Sequence, residues 1–154
     1  MPKKIFLTNG GITIVDDEDY QNLSIFKWHC RGSGKYRYAY RMENGTTLAM
    51  HRAIINVPDG MQTDHIDGNG LNNLRNNLRT ATCAQNQFNA TGWPGKSFFK
   101  GISWNKEHKK WAANIRITTQ RLFLGYFQSE ADAAKAYNEA ALKHHGAFAK
   151  TNNI

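Results

Sequence analysis

The residues best equipped for chemistry stand together in the middle of the chain. Residues 64–70 read Asp-His-Ile-Asp-Gly-Asn-Gly, followed by Asn76-Asn77-Leu78-Arg79 and then by Gln85-Asn86. A carboxylate, an imidazole and two carboxamides in this order suit hydrolysis of a phosphodiester. A hard divalent cation prefers oxygen ligands, which Asp64 and Asn86 can offer while leaving positions for water and phosphate oxygens. The imidazole of His65 titrates near neutrality and can take a proton from attacking water. Asn77 can hold His65 in its working orientation through a hydrogen bond to the ring. The cation would stabilise the charge developing on the phosphate and the departing 3′ oxygen. The competing reading is a loop whose Asp and Asn residues only cap turns. A calcium loop of the EF-hand type is excluded, because Ile66 stands where a second oxygen donor is required.

These side chains need a scaffold. Asp64 and His65 end a short strand, on which neighbouring residues point to opposite faces. The Gly- and Asn-rich stretch after them suits tight turning. Leu78 to Ala81 returns as a second strand, and Thr82 can cap a helix that carries Asn86. Upstream, residues 4–8 and 12–15 read as strands around the turn Asn9-Gly10-Gly11. Asp16 to Asp19 open a helix continued by Tyr20, Leu23 and Phe26, where negative charge complements the helix dipole. Residues 36–42 alternate, with Tyr36, Tyr38, Tyr40 and Met42 on one face and Arg37, Ala39 and Arg41 on a solvated one. A strand over 46–49 and a short helix from about 51 to 56 complete this half, stopped by Pro58-Asp59-Gly60.

The whole chain has 154 residues and a formal net charge of +8. Nine of its twenty Lys and Arg side chains lie in residues 97–154 against four acids, so the positive field is concentrated there. Clustered positive charge marks a polyanion binder. No apolar run of membrane-spanning length exists, and the start MPKKIFLTNGG has no long apolar region behind its lysines. Cys30 and Cys83 alone cannot build a disulfide framework or a zinc knuckle, which fits a reducing cytoplasm in a bacterial or phage-infected cell.

The segment His51-Arg52, Asp64-His65-Ile66-Asp67-Gly68-Asn69, Asn76-Asn77-Leu78-Arg79 and Gln85-Asn86 resembles the HNH homing endonucleases of phages and their hosts, over roughly residues 47–90. The resemblance implies His65 as general base, Asn77 as the middle, orienting asparagine, and Asp64 and Asn86 as ligands of one metal ion. Asn86 stands where the family often has His, which favours Mg²⁺ or Mn²⁺ over softer ions. His51 belongs to the resemblance as well and is expected to pack.

Residues 99–104, 110–117 and 121–127 read as strands with one apolar and one cationic face. Ser129-x-x-Asp132 opens a helix through Ala131, Ala134, Tyr137, Ala141 and His145, ended by Gly146. Phe-Lys-Gly-Ile-Ser-Trp, Trp-Ala-Ala-Asn-Ile-Arg, Phe-Leu-Gly-Tyr-Phe and the alanine-rich helix resemble the plant APETALA-type ethylene-response-factor DNA-binding domain. That family lays a three-stranded sheet in the DNA major groove. By position the resemblance implies DNA contacts from Lys100, Ser103, Asn105, Asn114, Arg116, Arg121 and Phe123. Arg116 and Arg121 would read guanine bidentately and Lys100 would neutralise phosphate. Ser103, Asn105 and Asn114 replace the Arg, Arg and Glu common in the plant family, so its target sequence does not transfer.

The expected fold class is α+β. An HNH domain spans 1–92, with a β-rich platform at 1–46 and a ββα-metal core at 47–90. A linker follows at 93–98, then a three-stranded antiparallel sheet on one helix at 99–152. The expected function is site-directed cleavage of double-stranded DNA by a free-standing homing endonuclease with no membrane association. A monomer would nick one strand, and a dimer could cut both. A DNA-binding regulator with a degenerate HNH fold, for which Asn86 speaks, and an RNA-binding module are the competing readings.

Overall fold

Asn9-Gly10-Gly11 reverses the chain between Lys3–Phe6 (β1) and Ile12–Val15 (β2), which pair antiparallel. The computed structural model describes residues 1–34, 36–90 and 97–154. Acids at 17, 18 and 19 fill the first turn of the helix Asp17–Ser24 (α1), next to its partial positive charge. The carbonyl of Leu23 near its end accepts a 2.8 Å hydrogen bond from the fully buried Trp28 indole. His29–Arg31 (β3), Tyr38–Glu43 (β4) and Thr46–Ala49 (β5) form an antiparallel sheet in that order, followed by the helix Met50–Ile54 (α2).

The segment carrying the Asp-His motif supplies Gln62–His65 (β6), the two-residue strand Asn72–Asn73 (β7) and Leu78–Ala81 (β8). Strands β6 and β8 pair antiparallel, with Asp64 opposite Arg79 and His65 opposite Leu78. Strand β7 joins β2 in parallel, so the N-terminal hairpin is hydrogen-bonded into the loop after β6 rather than merely stacked on it. Ile5, Leu7, Val15, Leu23, Trp28, Ala39, Met50, Ile54, Leu71 and Leu78 share one core.

Strand β4 differs from its sequence reading. Ala39 is buried in that core, and the Arg41 guanidinium lies over the Phe26 ring at 3.5 Å and pairs with Glu43. Arg37 on the same face is exposed, but the face is covered at Ala39 and Arg41, because aromatic rings attract a guanidinium and shield its stem. Arg41 is thus packed against the protein rather than held in solvent. Lys35 and most of the linker at 93–98 lie outside the described residues.

The chain divides into two units, Met1–Cys83 and Ala84–Ile154. The helix Cys83–Asn89 (α3) falls almost wholly in the second, ahead of the Gly- and Pro-containing linker. There the Phe88 ring stacks on His145 at 3.8 Å, and the Lys100 ammonium donates to the carbonyls of Phe88 and Ala90. Ile102–Asn105 (β9), Lys110–Ile117 (β10) and Gln120–Phe127 (β11) form an antiparallel sheet with β10 central. The helix Glu130–His145 (α4) covers one face of it, started by Ser129 Oγ accepting from the Asp132 amide. Alanines 133, 134, 140 and 141 bring α4 close to Ala113 and Ile115. Gly101 has no alternative: at φ +79° any Cβ would run into the Tyr137 ring and the Asn114 carbonyl. No helix among the described residues is long and apolar enough to cross a membrane.

Candidate active site

Asp64 and His65 end β6, and both are buried, at 3% and 6% exposure. The antiparallel register sets Arg79 beside Asp64, and its Nε and Nη2 donate to Asp64 Oδ2 at 2.7 and 2.6 Å. A buried carboxylate needs such a partner, since isolation in a low-dielectric interior would be prohibitive. Arg79 is the one residue of this pair that an antiparallel strand reading of 62–65 against 78–81 could have supplied.

The His65 ring sits in an aromatic corner. Its centroid lies 5.2 Å from that of His51 and 5.7 Å from that of Tyr38. His51 thus packs, as expected. Burial lowers the pKa of His51 from 6.5 to about 4, with smaller contributions from His65 and Arg52. Burial also lowers that of His65, against an opposing pull from its Asn73 hydrogen bond and from Asp67 and Asp64. A neutral imidazole is the form a general base requires.

Gly70 makes this corner possible. A Cβ there would collide with the Tyr38 ring and the Arg37 carbonyl, so only glycine lets the loop lie against the start of β4. The loop itself is stitched by carboxamides. Asp67 Oδ1 accepts from the Asn69 amide and from Asn77 Nδ2, and Asp67 Oδ2 accepts from Asn72 Nδ2. These bonds outweigh the cost of partial burial and hold the Asp67 carboxyl below its usual pKa.

Asn77 departs from the ring contact expected of it. Its Oδ1 accepts from the Asp67 amide at 3.0 Å, its Nδ2 donates to the Asn72 carbonyl at 2.8 Å, and its own carbonyl accepts from Ile66. Asn77 therefore fixes the backbone on either side of the turn, because a short amide side chain satisfies loop groups within its reach before a ring beyond them. Asn73 is a partner of the ring, its Oδ1 lying 3.2 Å from His65 Nε2. Sequence reading missed Asn73, although the doubled Asn72-Asn73 after a glycine-rich turn was visible. The acids at 16–19 also have a task beyond the dipole: Asp19 grips the Arg75 guanidinium bidentately at 2.8 and 2.7 Å, and Asp16 accepts from the Arg75 amide.

The structure thus gathers Asp64, His65 and Asn77 in the first unit, while Asn86 lies on α3 in the second. Among the described residues no three His, Cys, Asp or Glu side chains converge. The Asp64 carboxylate is the kind of hard oxygen donor that Mg²⁺ or Mn²⁺ prefers. Such an ion would share Asp64 with Arg79.

A profile of the HNH endonuclease family matches residues 56–88. An uncharacterised HNH endonuclease of Acanthamoeba polyphaga mimivirus is 32% identical over 151 residues, covering 94% of this chain and 76% of the viral protein. The chain belongs to the HNH endonuclease family. Protein 3.8 of Escherichia phage T7 is 42% identical over 60 residues, 38% of this chain and 50% of that protein. An AP2-like ethylene-responsive transcription factor of Arabidopsis thaliana is 40% identical over 60 residues, 38% of this chain but 11% of the plant protein.

The second unit of this HNH protein carries the residues expected to meet DNA. Ser103, Arg116, Arg121 and Phe123 are exposed, and Asn105 and Asn114 half-buried. The register sets Arg116 opposite Arg121 and Asn114 opposite Phe123. A cleft of ≈ 580 Å³ among the described residues of this unit is lined by Lys100, Asn114, Arg116 and Arg121. Lys100 itself is turned toward backbone carbonyls. Burial, then Lys150, lowers its pKa to about 8.

Proposed function

We propose that this chain is a DNA endonuclease of the free-standing homing type, in which His65 is the general base and Asp64 and Asn86 hold one Mg²⁺ or Mn²⁺. The observation that carries this reading is the buried Asp64-His65 pair at the end of β6, backed by a loop rigid enough to keep it in place. His65 takes the proton from the attacking water, whose oxygen bonds to phosphorus as the bond to the 3′ oxygen breaks. Arg79 holds the Asp64 carboxylate in place through two contacts to Oδ2. Asn77 keeps the chain around Ile66 and Asp67 from shifting. When bound, the ion stabilises charge on the phosphate and the leaving oxygen.

The sheet β9–β11 delivers the DNA. Arg116 and Arg121 are the base readers, with Asn114 and Phe123 the next pair along the sheet, Ser103 and Asn105 on the neighbouring strand as further contacts, and Lys100 as the phosphate contact. Like charges directly opposite on neighbouring strands destabilise a sheet, so their retention here is accounted for by a polyanion that neutralises both. Similarity to AP2-like transcription factors supports the same assignment.

The test is conversion of supercoiled plasmid to nicked circles in Mg²⁺ or Mn²⁺. Wild type should nick and His65→Ala should not, the loss of a general base being worth about 10²–10⁴-fold. A wild type that binds the plasmid and leaves it intact would replace the enzyme by the DNA-binding regulator.

A further inference from the structure

The polarity of one buried hydrogen-bond chain can be read from its far end. The Leu71 carbonyl can only accept, and Thr13 Oγ1 lies 2.8 Å from it, so the Thr13 hydroxyl donates there. Thr13 has then spent its single proton, and the amide 2.8 Å away must donate to it; that group is Asn73 Nδ2. With its nitrogen turned to Thr13, Asn73 presents Oδ1 to His65 Nε2 at 3.2 Å. An acceptor at that position requires a proton on Nε2, and a neutral ring protonated at Nε2 carries its lone pair on Nδ1. Thr13 and Asn73 are both fully buried, with Met50 Sδ at 3.8 Å from each, so water does not compete for these bonds.

We infer that Thr13 and Asn73 are positioning residues that lock His65 in its Nε2–H tautomer and make Nδ1 the nitrogen that accepts the proton. This deepens the reading of His65 as general base and rests on it. It also gives the N-terminal hairpin a task in catalysis: Thr13 lies on β2, far from the motif in sequence, and the β2–β7 pairing seats it beside Asn73. Were the Asn73 amide to turn over, it would offer a donor to Nε2 and select the opposite tautomer. Thr13 prevents that.

The decisive measurement is nitrogen NMR of ¹⁵N-histidine-labelled full-length protein at pH 8, which distinguishes protonated from bare ring nitrogens and needs no cleavage. Wild-type His65 should be protonated at Nε2. Thr13→Val, which keeps shape and removes the hydroxyl, should populate the other tautomer and lower kcat for plasmid nicking about tenfold at unchanged KM, and Thr13→Ser should restore both. Finding Nδ1 protonated in the wild type, or wild-type kcat and tautomer in folded Thr13→Val, would overturn the inference. If wild type shows the Nε2–H tautomer but nicks nothing, the tautomer lock stands and the nuclease reading falls.

Discussion

At the scale of the residue, the site is defined by how burial and short hydrogen bonds set proton positions. His51 illustrates it: with a folded-state pKa near 4 against an ordinary 6.5, protonation favours the unfolded chain. The stability that its neutral ring contributes is therefore complete above about pH 6.5 and falls as the pH drops toward 4, by about 3 kcal/mol at the lower end. Urea midpoints at pH 7 and pH 5 should show the decline, and His51→Gln should flatten it. A pH-independent difference between the two proteins would contradict the assignment. Much at this scale was legible in the sequence. The motif Asp64-His65 and the middle Asn77 are held by local chain geometry, which spacing reports. Asn73's task was hidden, because it depends on Thr13, 60 positions away in the chain. The inward turn of Arg41 was hidden for a similar reason: alternation identifies a strand's two faces but says nothing of a Phe26 and a Trp28 that arrive from another element to cover one of them.

At the scale of the element, the loop between β6 and β8 is the part that must not move. It is rigid through Asp67, Asn69, Asn72 and Asn77, and it reaches β4 only because Gly70 lacks a side chain. Gly70→Ala should cost about 1–3 kcal/mol, as overpacking of a tight contact does. It should depress nicking more than DNA affinity, since the collision is with the Tyr38 ring beside His65. Thermal melts and binding isotherms on one preparation check this, and unchanged melting would show that the loop yields freely. The elements themselves were largely readable: β2, α1, β5, β6, β8, β10 and α4 fall close to where turn residues, capping residues and alternation put them. Strand β7 was not, because two asparagines carry no periodicity and become a strand only through the partner β2 brings.

At the scale of the molecule, the chain has two units, one holding the buried Asp64-His65 pair and the other a sheet with exposed Arg116 and Arg121. The opposed Arg116 and Arg121 should give the second unit a signature of function over stability. Arg121→Ala should leave the free protein as stable or more so by up to about 1 kcal/mol, while weakening DNA binding and reducing its salt dependence. Equal affinity and equal salt slope would remove the sheet from the DNA interface. The proposed division accords with the charge distribution along the sequence, whose positive excess is concentrated in residues 97–154. The measurement that bears most directly on the whole account is the single-turnover cleavage rate of pre-bound DNA in Mg²⁺, comparing wild type with His65→Ala at matched occupancy. The account predicts equal binding and a rate lower by about 10²–10⁴-fold in the variant. Equal rates from equally loaded complexes would contradict it.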